Sequence, residues 1–387
     1  MKKAEAILKI TISGYYGFKN TGDEAILISM IKKIKGRKPQ AEITVLSQNP
    51  FETSINYRVK AINRMHWLKI LKCFSQTDIF LSGGGGLFQD VTGRGLSVLY
   101  YLGLILLAKI VGLPVMVYAQ GIGPIKNQCN KILMKWILNK IDLISVRDNQ
   151  SKKLLNQLEI NATPIHVCGD PSFLLEKKAI DEKLRNIIGL KEILSENNSM
   201  LVGISVRSHK TNNKDSKKIF ARLADTLISK HKSKIIFIPF NAKEDISEST
   251  EIMELMERRE ETYILRERLE PEELLSLISR FSFMLGMRLH SIMFSCLVQI
   301  PFIAISYDPK VKNFMEELDM SELALELNDL SLKKLEKKVE YLIEHHQDIS
   351  KLLPGKVKIL KEKANKNNEL LFQLLESCQG GSFSIND

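Results

Sequence analysis

Three short segments, each closing an apolar and β-branched run, carry cations and a histidine: Ser205-Val206-Arg207, Gly286-Met287-Arg288-Leu289-His290 and Ser306-Tyr307-Asp308-Pro309-Lys310. If those runs are strands of one parallel sheet, their carboxyl ends bring Arg207, Arg288, His290 and Lys310 to one edge. Guanidinium forks match the paired oxygens of carboxylate and phosphate, and a helix starting near His290 offers unpaired N–H groups to an anion. The set suits a small ligand that carries both a phosphate and a carboxylate. Imidazole is the side chain whose ordinary titration lies nearest neutrality, so His290 is the candidate proton carrier, with phosphate ligation as its other reading. A lone arginine after a strand is ordinarily a surface residue. Three cations and a histidine on three such tips are harder to assign to solvated surface.

The first half of the chain offers four further strand-end segments. Gly14-Tyr15-Tyr16-Gly17-Phe18-Lys19-Asn20-Thr21-Gly22-Asp23-Glu24 places a glycine turn before a helix start, without matching GxGxxG or a GK[ST] phosphate loop. Asp23 and Glu24 read equally well as complements to the helix dipole. Ser82-Gly83-Gly84-Gly85-Gly86-Leu87-Phe88-Gln89-Asp90 holds four consecutive glycines. They are costly in chain entropy, so a ligand-cradling backbone is preferred here over tight strand–helix packing. Ala119-Gln120-Gly121-Ile122-Gly123-Pro124 and Ser145-Val146-Arg147-Asp148 complete the group. Arg147 reads either as a cation pointing into a cleft or as the partner of Asp148.

The elements that must hold these residues alternate along the chain. Ile7–Ser13, Ile43–Ser47, Ile79–Ser82, Val115–Tyr118, Leu143–Val146 and Ile165–Val167 read as buried strands, with helical periodicity between them. A second series runs through Leu201–Val206, Ile235–Pro239, Thr262–Ile264, Phe283–Gly286 and Phe302–Ser306. The expected fold class is α/β, with two Rossmann-like domains in a GT-B-like arrangement and a cleft between them. The expected boundaries are 1–175 for the first domain, 176–199 for a lysine-rich linker helix and 200–350 for the second domain. Residues 351–387 form a terminal helix and tail, with Gly380–Asp387 frayed.

Composition narrows the function classes. The 387 residues are 44% hydrophobic and 26% charged, which fits a globular chain large enough for two domains. Leu96–Val117 is apolar enough to suggest a membrane span, but Lys109 and Gly112-Leu113-Pro114 divide it into a helix and a strand. A cytoplasmic protein is expected. Cys73, Cys129, Cys168, Cys296 and Cys378 lack CxxC spacing, so they are expected to be small buried residues rather than disulfides, zinc ligands or nucleophiles. The net charge is +11, from 56 basic and 45 acidic residues, but no nucleic-acid-binding signature accompanies it. Most lysines read as solvated surface. The lysines from Lys351 to Lys366 share one helix and read as a solvated face or as a contact with anionic lipid.

Taken in order, SGYYGFKNTGDEAIL, LSGGGGLFQD, YYLGLILLAKIVGLPVMVYAQGIGPI, LISVRD, CGDPSFLL, GMRLHSIMFS and PFIAISYDPKVKNF resemble the bacterial polysaccharide pyruvyl transferases, in particular those acting on cell-wall glycans that anchor surface-layer proteins. These stretches run from Ser13 to Phe314 across both domains. The resemblance implies phosphoenolpyruvate as donor, held by Arg207, Arg288, His290 and Lys310, with Arg147 a weaker contributor. It implies a lipid-linked glycan acceptor bearing N-acetylmannosamine, bound around Asn20, Asp23, Gln89 and Gln120 and the backbone of Gly84 and Gly85. It also implies work at the inner face of the membrane, and neither cofactor nor metal is expected. The rival readings are a GT-B nucleotide-sugar glycosyltransferase and a non-catalytic basic protein that binds glycan or lipid.

Overall fold

A computed structural model of the chain describes residues 7–90, 95–195, 199–208 and 214–378. It divides into two compact units, one running to Leu175 and taken up again from Leu360, the other spanning Glu176–Ile359.

The first unit alternates β1 (Lys9–Ser13), α1 (Thr21–Arg37), β2 (Glu42–Ser47), α2 (Pro50–Tyr57), β3 (Lys60–Asn63), α3 (Trp67–Phe74) and β4 (Ile79–Ser82). Then follow β5 (Gly85–Phe88), α4 (Leu96–Ile110), β6 (Val115–Ile122), α5 (Gln128–Leu138), β7 (Leu143–Val146), α6 (Asn149–Gln157) and β8 (Ile165–Val167). The sheet order is β3-β2-β1-β4-β6-β7-β8, with β5 continuing alongside the far half of β6. The chain moves outward from β1 to β3, then crosses back to lay β4 on the other side of β1. The strand order therefore reverses between β1 and β4, whose last residues Ser13 and Ser82 are in register. Ligands of open parallel sheets bind at such a point, outside the carboxyl ends.

The second unit holds α7 (Asp181–Arg185), α8 (Leu190–Ser195), β9 (Met200–Ser205), α9 (Lys214–His231), β10 (Ser233–Phe237), α10 (Ala242–Glu254), β11 (Thr262–Ile264) and α11 (Pro271–Ile278). After these come β12 (Phe283–Gly286), α12 (Leu289–Leu297), β13 (Phe302–Ser306), α13 (Pro309–Glu317), β14 (Ala324–Glu326) and α14 (Leu332–Glu344). Its sheet is parallel in the order β11-β10-β9-β12-β13-β14, with the reversal between β9 and β12. Strands β12 and β13 are buried at every position because helices cover both faces of a parallel sheet.

The last helix, α15 (His346–Cys378), contains Pro354 and begins within the second unit. Its far half packs Leu370, Leu371, Phe372, Leu374 and Leu375 into the core shared by β1, β2 and α1. Asn367, fully buried there, donates to Gly169 O at 2.9 Å and accepts from Ser145 Oγ at 2.7 Å.

Several expectations change. The charged stretch after Leu175 is two short helices, α7 and α8, not one linker helix. It is docked on the second unit through Lys178 N to Glu272 O and the ion pair of Lys183 with Glu273. Strand β5 occupies what reads in sequence as a glycine loop. Cys168 and Cys296 are buried and burial pushes both thiols up to about 12, whereas Cys129 and Cys378 are exposed and Cys73 is half-buried. The two exposed cysteines stand on the solvent-facing sides of α5 and α15, a context their residue type does not reveal. Leu96–Val117 is α4, a turn at Gly112 (φ +83°) and the start of β6. Among the described residues no helix is long and apolar enough to cross a membrane. Lys351, Lys358, Lys361 and Lys366 are exposed on α15. The tail Gly380–Asp387 lies outside the described residues.

Candidate functional site

In the second unit β9, β12 and β13 are consecutive neighbours, with Gly286 opposite Ser205 on one side and Ala304 on the other. Their tips therefore bring Arg207, Arg288 and Tyr307 to one sheet edge. Arg207 Nη1 donates to the Tyr307 hydroxyl at 2.5 Å, and its guanidinium carbon lies 5.0 Å from the centre of that ring. The bond ties the tip of β9 to that of β13 across β12. Arg288 is the residue before α12 and does not cap it with its side chain. Half-buried His290 is the second residue of that helix, in the turn whose N–H groups have no intrahelical partner. Gly286 lets the helix start this close: a Cβ there would lie 2.4 Å from Ser291 Oγ. Lys310, also half-buried, stands in the first turn of α13, whose cap Asp308 accepts from Lys310 N at 2.9 Å.

Sequence reasoning missed two acids here. Asp245 of α10, fully buried, receives Arg288 Nε at 3.1 and 3.2 Å on its two oxygens, and also receives Nη2. Glu244 accepts from the same Nη2 at 3.0 Å. Burial works against the Arg288 charge, but Asp245, followed by Tyr307 and Glu244, more than offsets it and holds the guanidinium above its ordinary pKa. Asp245 also accepts from the Phe240 and Asn241 amides, which fixes the turn after β10. Arg288 is thus a positioned and largely neutralised cation, with Nη1 as the one guanidinium nitrogen that makes no hydrogen bond among the described residues.

In the first unit the glycines are explained by packing. Tyr16 is fully buried beneath the β1 and β4 tips. A Cβ on Gly14 would lie 2.4 Å from its ring, and one on Gly83 would lie 2.3 Å from its hydroxyl. Burial, then the charges of Asp23 and Glu24, push the Tyr16 phenol well above its ordinary range. At Gly84 a Cβ would meet Ile26 of α1 at 2.9 Å; Gly85 has φ +101° and faces Asp23 Oδ1 at 2.5 Å. Gly84 and Gly85 make room for α1 and its side chains, the reading ranked second from sequence, while Gly14 and Gly83 make room for Tyr16.

Asn20 caps α1 by accepting from Gly22 N at 3.1 Å. Glu24, buried, accepts from Gly17 N at 2.8 Å and from the Tyr57 hydroxyl at 2.5 Å, so it clamps the turn rather than merely complementing the helix dipole. Gln89 packs against Gly123. Asp90 binds the Lys126 and Asn127 amides at 2.6 and 2.9 Å. Burial would raise Asp90, but those amides and Asn130 hold its carboxyl below the usual value. Arg147, buried beside Gly121, stands 3.5 Å from Asp148 and 3.4 Å from Asp170, so the local pairing is present and a second acid joins it.

Gln120 is fully buried. Its Nε2 donates to Gly85 O at 2.7 Å, while its Oε1 has no partner among the described residues. It follows Ala119, a non-glycine residue at φ +50° where the register of β6 shifts. Such strain persists only when the surroundings impose it. Ser13 Oγ and Ser205 Oγ are among five further buried serine oxygens, with those of Ser29, Ser172 and Ser233, that lack partners among the described residues. Ser13 and Ser205 are each the last residue of a strand beside a reversal point, and the sequence signal was a serine closing an apolar run.

Two parallel α/β sheets, each with its functional candidates on the loops of a reversal point, define a two-unit α/β scaffold of the GT-B kind. HepE of Anabaena, solved in complex with UDP-glucose, has the same fold with a TM-score of 0.65 at 14% identity, covering 96% of this chain and 100% of that one. S. aureus MnaA, in a structure with UDP, gives 0.67 at 10% identity over 98% and 100%. At these identities the likeness speaks for fold alone.

In sequence, residues 20–309 match the polysaccharide pyruvyl transferase family, and the chain belongs to that family. AmsJ of Erwinia amylovora, an amylovoran biosynthesis protein, is 19% identical over an alignment of 412 residues that covers 93% of this chain and 98% of AmsJ. The protein is accordingly a transferase with a pyruvyl-transfer role in glycan biosynthesis.

Proposed function

We propose that the protein transfers the pyruvyl group of phosphoenolpyruvate to a sugar, N-acetylmannosamine, of a lipid-linked cell-wall glycan precursor, leaving a cyclic pyruvate ketal and inorganic phosphate. The observation that carries this reading is the meeting of Arg207, Arg288, His290 and Lys310 at three adjacent strand tips of the second unit. Arg207 and Lys310 supply charge for the phosphate and carboxylate, and Arg288 offers Nη1 with its plane set by Asp245. The first turn of α12 adds its N–H groups. Recognition of the acceptor falls to the first unit, where Gln120 Oε1 and Ser13 Oγ have no partner among the described residues, on the same sheet whose carboxyl-end loops carry Asn20, Asp23 and the Gly84–Gly85 backbone.

In this scheme His290 delivers a proton to the methylene carbon, and the adjacent carbon becomes electrophilic. A sugar hydroxyl adds there, the C–O bond to phosphate breaks, and a second hydroxyl of the same sugar closes the ketal. One hydroxyl proton replaces that given by His290, and the other leaves with phosphate. The cations stabilise charge that develops on the departing phosphate.

The test is incubation with phosphoenolpyruvate and a synthetic lipid-linked disaccharide, followed by mass spectrometry and phosphate determination. A ketal formed in equal amount to phosphate is the expected result. Release of a nucleotide from a sugar nucleotide, with phosphoenolpyruvate untouched, would establish glycosyl transfer instead. For His290→Ala, loss of turnover together with the protonation limb of the pH–rate profile is expected. Near-normal turnover with only a raised KM would reduce His290 to a phosphate ligand.

A further inference from the structure

We infer that the rim formed by α3 and the start of α4 is a docking surface for an anionic lipid bilayer. In a parallel sheet each helix that follows a strand begins at the carboxyl edge, where the ligand loops lie. Met65, Trp67, Leu68 and Leu71 at α3, and Leu96 and Leu99 at α4, are all exposed, Leu68 at 79% and Leu96 at 64%. An α-helix turns about 100° per residue, so Trp67, Leu71 and Leu68 extend the apolar arc of α3 beyond the core side chains Ile70 and Phe74. The arc ends at Lys72 and Lys69, both exposed. An apolar arc with an exposed tryptophan, bordered by lysines, is the composition of helices that lie in the headgroup region.

Charge points to the same occupant. Lys69 and Lys72 border the arc itself, and the flank of α3 lines a groove of about 380 Å³ that runs to the amino ends of β1 and β3, where Lys9 stands beside the Lys60–Glu42 ion pair. A second protein copy carrying the same +11 would be repelled, whereas anionic headgroups are attracted. The rim is also continuous with the acceptor loop. The Trp67 ring meets Tyr100 edge-on at 5.8 Å, Arg64 lies 4.2 Å over Tyr100 and 5.0 Å from the Phe18 ring, and Phe18 stacks on Tyr15 at 4.0 Å. A lipid-borne sugar would thus reach Asn20 and Gln120 from a bilayer seated on α3. This last step rests on the acceptor being lipid-linked, while the docking itself does not.

The test is flotation of the full chain with phosphatidylcholine vesicles, with and without phosphatidylglycerol, in the absence of donor and acceptor. Binding to the anionic vesicles alone is expected, with a blue shift of Trp67 emission in a Trp136→Phe background. Leu68→Glu should weaken partition at least tenfold, and Lys69→Glu and Lys72→Glu about fivefold or more each. Phosphate release on a water-soluble acceptor should stay at the parent level in all three, which also reports folding. Failure of the parent chain to float, or flotation unchanged by Leu68→Glu, overturns the proposal. So does a dimer in light scattering that Leu68→Glu converts to monomer. Vesicle binding without any ketal product would leave docking intact and remove the pyruvyl-transfer reading.

Discussion

Asp245 determines what Arg288 can do. A buried guanidinium without a counter-charge is expensive, and removal of one member of such a pair typically costs about 3–5 kcal/mol. Asp245→Asn keeps the shape and deletes the charge, leaving only the half-exposed Glu244 against Arg288. The expected outcome is a loss on the order of 3 kcal/mol in denaturant unfolding. If phosphoenolpyruvate is the donor, as proposed, its KM should rise more than kcat falls, because the arginine plane is no longer set. Unchanged stability would show that the pair does not hold the loop. The position of Arg207, Arg288, His290 and Lys310 at one sheet edge was legible because each follows closely on an apolar run, where a parallel sheet must place its loops. Asp245 was not legible. It stands in Ala242–Glu254, a stretch of mixed acids and serines that reads as solvated helix, and only tertiary packing brings its carboxylate to zero exposure.

At the scale of the element, Gly83 directly after β4 is a packing device for one tyrosine. Gly83→Ala would press a methyl to within 2.3 Å of the Tyr16 hydroxyl and 3.0 Å of Ser13 O. Overpacking of this kind costs about 1–3 kcal/mol. Removing the hydroxyl should return part of that cost, so Tyr16→Phe with Gly83→Ala should be more stable than Gly83→Ala alone. A double-mutant cycle on unfolding free energies measures the coupling, and strict additivity would show that the hydroxyl is not the obstacle. Alternation of apolar runs was enough to predict two parallel sheets, since buried strands leave that signature. It did not reveal β3, α2 or α3. Lys60–Asn63 is a half-buried edge strand with exposed lysine and asparagine ends, and α3 carries its apolar residues outward as well as inward. Nor could it show Ala119 at φ +50°, because a left-handed alanine is imposed by neighbours rather than by its own preference.

On the scale of the whole chain, the first unit is closed by residues almost two hundred positions beyond its last strand. The contact is between backbones. A Cβ on Gly169 would lie 2.7 Å from Ala364 N and 3.1 Å from Leu360 O, with no rotatable side chain to give way. Asn367 then bridges Gly169 O and Ser145 Oγ, and Asn368 accepts from the Tyr118 hydroxyl at 2.9 Å. A buried, fully used asparagine fixes register along α15 more than it adds stability. Gly169→Ala must therefore push the helix away and loosen Leu370, Leu371 and Leu374 from the core they share with α1. Hydrogen exchange should read this as lost protection from Ala364 to the end of α15 and in α1, with thermal stability of the first unit lowered by about 2 kcal/mol. Exchange in β9, β12 and β13 should be unchanged, since their core contains none of these side chains. Equal loss of protection in both sheets would mean that the two units unfold as one, and that α15 transmits its anchoring along the entire chain.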